Sequence, residues 1–316
     1  MEGTAMSKES CILREIMGAS LSSLEYIPLT LYRPYGLSLI LWIWSGDLGV
    51  EGCRGCPWPE AYEAKESLDL IEIQASSIIE RGRRLDIDLI FLHGGEPMYK
   101  PWFLCLSEML AKEGISLGVK ARLDILLRYG FKEILEARGL NAILIEASQN
   151  IPGSRIESVL TEIMRKALSR EIYMEILVTD LISPLDSDMR DRIKSILEQY
   201  RIAIDNLTPS RPIPIGIYAA HLEEHDVLSI RKIIREICVG KATCYIIESN
   251  KKIYPDYIKC PTCGVEVARR SDILAIPLIT DIKCMSCGNR IFMHSPHRIK
   301  RRFPVNTPIH LLPTLR

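Results

Sequence analysis

An alternation between residues 37 and 247 restricts this chain most: short apolar runs of strand length, each followed by a longer segment with apolar residues at helical spacing. Strands are expected at 37–44, 87–92, 115–121, 142–147, 172–178, 213–218 and 242–247. Helices are expected at 61–84, 102–113, 125–136, 155–169, 186–200 and 223–238. The run at 87–92 is nearly continuous in apolar residues, the pattern of a strand covered on both faces. Repeated strand–helix units wind into a parallel sheet coated by helices. The fold class is therefore α/β, a full or partial (β/α) barrel, in which the loops after the strands gather at one mouth.

Two neighbouring loops at that mouth are unusual. The first, 45–60, is glycine-rich, lacks periodicity and carries Cys53-Arg-Gly-Cys56. The second follows the next strand and reads His93-Gly94-Gly95-Glu96-Pro97. Paired glycines let the backbone approach a ligand closely, and Pro97 fixes the exit of the chain. Such a turn occurs by chance in many chains; its position beside a cysteine-bearing loop makes it a candidate site.

Past residue 255 the alternation stops. Cys260-Pro-Thr-Cys263, followed by Gly264, and Cys284-Met-Ser-Cys287, followed by Gly288, form two pairs with twenty residues between Cys263 and Cys284, mostly short β-type sequence. Four thiolates at this spacing suit tetrahedral zinc in a ribbon, and the glycine after each pair permits a tight knuckle. An iron–sulfur site is the alternative. The chain then divides into a lead-in (1–35, with a short helix expected around 11–17), a barrel (36–255), a ribbon (256–293) and a tail (294–316). The basic run at 294–302 reads as a solvated surface segment, with a nucleic-acid grip together with the ribbon as the other reading.

Forty basic and forty acidic residues cancel, so no global field marks the chain for nucleic acid or an anionic membrane. The start is polar, and the apolar run at 37–44 is too short to span a bilayer. A soluble cytoplasmic protein without membrane association is expected. In that compartment ten cysteines suggest metal sites before disulfides. Cys11, Cys105, Cys238 and Cys244, isolated in apolar surroundings, read as buried structural thiols.

The cysteine loop after one strand and Gly94-Gly95-Glu96-Pro97 after the next resemble the radical S-adenosylmethionine (SAM) superfamily. The closer resemblance is to pyruvate formate-lyase-activating-type enzymes and the AmmeMemoRadiSam radical SAM proteins, which carry a similar C-terminal zinc ribbon. The resemblance implies a 4Fe–4S cluster on loop cysteines, with Cys53 and Cys56 as ligands. It also implies S-adenosylmethionine held by Gly94, Gly95, Glu96 and Pro97, and zinc on Cys260, Cys263, Cys284 and Cys287. The implied reaction is reductive cleavage of SAM to a 5′-deoxyadenosyl radical, with an electron donor and a protein substrate as partners; Arg122 and His93 are further candidates for ligand contact.

The usual Cys-x-x-x-Cys-x-x-Cys motif is incomplete. In one register Cys53 and Cys56 are its last two cysteines and Asp47 is the nearest oxygen ligand; in the other the third cysteine has been deleted. The family's Lys-Thr-Asn-Gly and Asp-x-Lys stand as Lys120-Ala-Arg-Leu123 and Glu146-Ala-Ser148, which reads as a loss of polar groups facing SAM. A second expectation therefore stands beside the enzyme: a catalytically inactive barrel with a zinc ribbon, acting as scaffold, regulatory partner or nucleic-acid binder.

Overall fold

The structure, a computed structural model, describes residues 11–24, 27–29, 31–44, 70–131, 136–148, 156–179, 181, 183–207, 212–219, 222–238, 243–247, 256–271, 274–294 and 307–309. It is mixed α/β, built on a ten-stranded, mostly parallel sheet. The first strands are β1 (Ile12–Ser23), β2 (Leu37–Ile43) and β3 (Ile71–Gln74), followed by helix α1 (Ala75–Arg84) and β4 (Leu89–Gly94). Then come α2 (Phe103–Lys112), β5 (Ser116–Arg122), α3 (Leu123–Tyr129), β6 (Leu140–Ser148), α4 (Ile156–Ser169) and β7 (Tyr173–Thr179). The alternation closes with α5 (Ser187–Leu207), β8 (Pro214–Tyr218), α6 (Glu224–Ile237) and β9 (Thr243–Ile247). Strands β2, β4, β5, β6, β7, β8 and β9 pair in parallel in that order.

Period-two alternation gives this sheet two different faces. Leu39, Leu41, Ile43, Ile90, Leu92, Val119, Ile143, Ile145, Ile176 and Ile215 point to the helices, meeting Ile78 of α1, Phe103 and Leu106 of α2, Ile163 of α4, Leu197 of α5 and Ile230 of α6. Ile40, Phe91, Leu144, Tyr173 and Tyr245 point the other way. They are covered by Leu24, Ile27, Leu29, Leu31 and Tyr32 and by the cysteine-rich segment. That segment forms a separate antiparallel sheet of β10 (Asp256–Lys259), β11 (Glu266–Ser271) and β12 (Leu274–Pro277).

Several expectations need correction. The short helix around 11–17 is instead the start of strand β1, antiparallel to β2 and β3. Leu13 and Ile16, both fully buried, imitate helical spacing because Glu15 adopts φ 62° and the register slips between them. Within the helix expected at 61–84, residues 61–69 lie outside the described residues; of the rest, Ala75–Arg84 is helix and Ile71–Gln74 is strand β3, so the 71/73 spacing is strand alternation. The tail contributes a strand, β13 (Thr307–Ile309), paired with Ala19, Ser20 and Leu21 on the outer edge of β1. The four cysteines read as isolated thiols form two disulfides, Cys11–Cys105 and Cys238–Cys244, with Cα separations of 6.1 and 5.9 Å. Ninety-four residues separate the first pair, a contact that sequence spacing does not reveal. No helix among the described residues is long and apolar enough to cross a membrane.

Candidate functional site

Two groups of chemically active side chains lie at opposite ends of the parallel strands. The first sits at the C-terminal ends of β4, β5 and β6. Gly94 closes β4 with φ 100°, and a Cβ there would stand 2.3 Å from the Ile43 carbonyl oxygen. Only glycine fits, because β2 passes so close that Gly95 N–H donates to the same carbonyl at 2.8 Å. Strands β2 and β4 are thus neighbours up to Ile43 and Gly94, while the loop expected at 45–60 lies outside the described residues. The turn then runs into the short 3-10 helix Pro97–Tyr99, which buries Pro97 and Met98.

Glu96 is only 1% exposed. Both its carboxyl oxygens accept the Arg122 backbone N–H, each at 3.2 Å, and no ion pair reaches it among the described residues. Burial pushes its pKa up to about 8, against the lowering pull of Lys120 and the Arg122 N–H. The neighbouring cations are engaged elsewhere. Lys120 Nζ donates to Glu146 Oε2 at 2.6 Å, and the Arg122 guanidinium grips Asp124 at 3.0 and 2.8 Å. Glu146, which burial alone would raise, is held below its usual value by Lys120. The His93 ring lies between Trp42 and Phe91, with centroids 4.6 and 6.0 Å away. Burial and the Lys120 charge push His93 down to about 3, so it is neutral, and its Nδ1 has no hydrogen-bond partner among the described residues.

Lys120-Ala-Arg-Leu123 and Glu146-Ala-Ser148 still bring polar groups to this end of the sheet. Lys120 and Glu146 supply them as a cross-strand pair. Their signal was a charge inside an otherwise apolar strand. Glu175 of β7 gives the same signal: fully buried, it accepts hydrogen bonds from Tyr173 Oη at 2.5 Å and from Tyr245 Oη. Tyr173 Oη in turn accepts the Leu31 N–H at 3.1 Å, tying the 27–36 segment to the sheet.

The second group lies at the N-terminal ends of the strands. Thr243 at the start of β9 bonds the Lys259 carbonyl, Arg290 pairs with Glu171 just before β7, and Met293 N–H donates to Leu31. Here the sulfurs of Cys260, Cys263, Cys284 and Cys287 all lie within 4.8 Å of one another, with Cys260–Cys287 at 3.5 Å and Cys263–Cys284 at 3.6 Å. A tetrahedral ion at a metal–sulfur distance of about 2.3 Å requires sulfur–sulfur edges of about 3.8 Å. Two equivalent turns create the geometry. Gly264 and Gly288, at φ 72° and 74°, donate their N–H groups back to Cys260 and Cys284. The Val265 N–H draws Cys263 down to about 6. Cys287 has the Asn289 N–H drawing it down, yet the three sulfurs crowding it push it up to about 12. Four thiols this close resist losing all their protons without a cation, and the cluster could hold a metal ion such as zinc.

Cys53, Cys56 and Asp47 lie outside the described residues. Neither a protein-family model nor a curated protein matches the chain.

Proposed function

We propose that this chain is a divergent radical SAM-like protein, a (β/α) partial barrel that binds S-adenosylmethionine on the loop after β4 and zinc in a C-terminal ribbon. The observation that carries the reading is Glu96. It is a carboxyl almost removed from water, at the end of a parallel strand, with one backbone donor and no countercharge bonded to it among the described residues. The ammonium of a methionine moiety would supply that countercharge, so the side chains fit this ligand. Gly94 and Gly95 draw the turn against β2, and Pro97 sends the chain on into α2. Zinc would stand among Cys260, Cys263, Cys284 and Cys287, remote from the Glu96 end, in a structural role.

Cys53 and Cys56 would hold the 4Fe–4S cluster, but they are one thiolate short of three, and the other cysteines are paired or grouped elsewhere. The reading therefore stands on the SAM site, not on the cluster. Cluster and SAM together would supply radical chemistry, with an electron donor and a protein substrate as partners. The short thiolate set and the closed Lys120–Glu146 pair favour a second reading: a barrel that binds ligand and zinc without redox chemistry and acts as a scaffold or regulatory partner.

The deciding experiment is anaerobic reconstitution with iron and sulfide of the wild type and of a Cys53→Ala/Cys56→Ala variant, followed by metal analysis and SAM titration. About four irons per chain, lost in the variant, together with saturable SAM binding, support the enzyme. SAM binding with zinc alone supports the second reading. No SAM binding under either condition defeats the proposal.

A further inference from the structure

The surroundings of Glu96 pose a question that ligand identity alone does not answer: what balances this carboxyl when no ligand is present? An ionised carboxylate with a single shared backbone N–H, out of water and without a cation at contact, is costly. Every charged group facing it from the described elements is committed. From β5, Lys120 bonds Glu146 of β6 and Arg122 bonds Asp124 of α3. From β4, His93 is neutral. On the side of β1, Lys100 contacts Glu15.

We propose that Glu96 stands protonated in the free protein and exchanges its proton for the cationic head of the ligand, so that binding releases a proton. The proposal deepens the SAM-site reading and rests on it for the ligand. The exchange balances: the Glu96 O–H bond breaks, the proton leaves to solvent, and the carboxylate left behind pairs with the incoming ammonium. No oxidant or further reactant is needed. The site would then select charge through its empty-state chemistry. A neutral or anionic ligand gains nothing from removing the proton, whereas a cation gains a buried ion pair. The raised pKa of Glu96 agrees with this.

The sign of the pH dependence follows. Only ionised Glu96 pairs with the cation, so apparent affinity rises about tenfold per pH unit below the pKa of the free carboxyl, then passes a maximum and falls as the ligand's own ammonium loses its proton.

The test uses the full chain, uniformly labelled on glutamate carboxyl carbon, and infrared difference spectroscopy. A protonated carboxyl stretch is expected at pH 6.5. It should disappear at pH 9.5 in wild type and be absent from Glu96→Gln at both pH values; the wild-type pH pair serves even if the variant folds poorly. Adding S-adenosylmethionine at pH 6.5 should remove the band. Titration calorimetry in buffers of different ionisation enthalpy should then show about 0.9 proton released per ligand bound. Absence of the band from the free protein overturns the inference, whatever SAM does. A band present in the free protein but unchanged by bound SAM, with no proton released, overturns the coupling and leaves the SAM site standing. A band present with no SAM binding at any pH defeats the site reading, and the exchange with it.

Discussion

Gly94 shows how a motif glycine can be fixed by the backbone behind it as much as by a ligand in front. Its φ of 100° and the Ile43 carbonyl 2.3 Å from any Cβ predict that Gly94→Ala loses about 2–4 kcal/mol. Denaturant melts should show the loss with no ligand present; a neutral substitution would mean that β2 and β4 are further apart than described. Lys120 tests the buried pair. Lys120→Met leaves Glu146 without its countercharge and should cost about 2–3 kcal/mol, the cost moderated because Glu146 is partly exposed. Lys120→Met combined with Glu146→Leu should recover most of that loss, and failure to recover it would mean that the pair does more than balance charge. Glu96 gives the pH dependence. The folded protein holds its proton up to about pH 8, whereas the unfolded chain releases it near the ordinary carboxyl value. Wild-type stability should therefore fall relative to Glu96→Gln as pH rises between those values, and thermal melts at pH 5 and pH 8.5 measure the difference. At this scale the sequence displayed the glycine pair, the acid and the proline. It also displayed Lys120, Glu146 and Glu175 as charges inside apolar strands, but not which of them would meet, because strand order and register decide cross-strand partners.

Among the elements, those with strong local signals appear close to where periodicity placed them: α2, β5, β7, β8 and α6 shift by one or two residues. The elements that differ lie where local pattern and tertiary context disagree. Strand β1 shows helical spacing because a residue at positive φ slips its register, a feature stabilised by the strands on either side. Strand β3 merges in sequence with α1, and the chain turns at Gln74 without a polar cap to mark it. Helix α5 runs to Leu207, two turns past the expected end at Tyr200, and buries Ala203 and Ile204 against the sheet. The tail strand β13 had no signal of its own, since three residues including Pro308 read as strand only when an edge is waiting. Deleting residues 303–316 should cost only about 1 kcal/mol, yet it exposes the edge of β1 at Ala19–Leu21 and should promote association, read by light scattering. An unchanged, monodisperse profile would show that the edge needs no cover.

For the whole molecule, the feature with the widest effect is the placement of the cysteine cluster. Buried Cys260 and Cys284 belong to the same core as Phe91, Tyr173 and Tyr245, so the segment covers the sheet face that carries no helices among the described residues. If a metal organises it, chelation should lower the melting temperature of the entire chain in one transition, by on the order of 10 °C. Two separate transitions, with the main one unmoved, would show that the segment folds apart from the sheet. One metal per chain, lost in Cys260→Ser, completes that test.

The sequence by itself determined the alternating core of the sheet, the thiolate quartet and the glycine turn after β4, because each depends on neighbours within a few residues or on a fixed spacing. Only the tertiary structure decided that β1, β3 and β13 share an edge, that Cys11 meets Cys105, that Lys120 answers Glu146, and that Glu96 and the four thiolates lie at opposite ends of the strands. Those contacts join residues tens to hundreds of positions apart. Their partners are set by register and strand order, which the packing of the two faces fixes and no local pattern encodes.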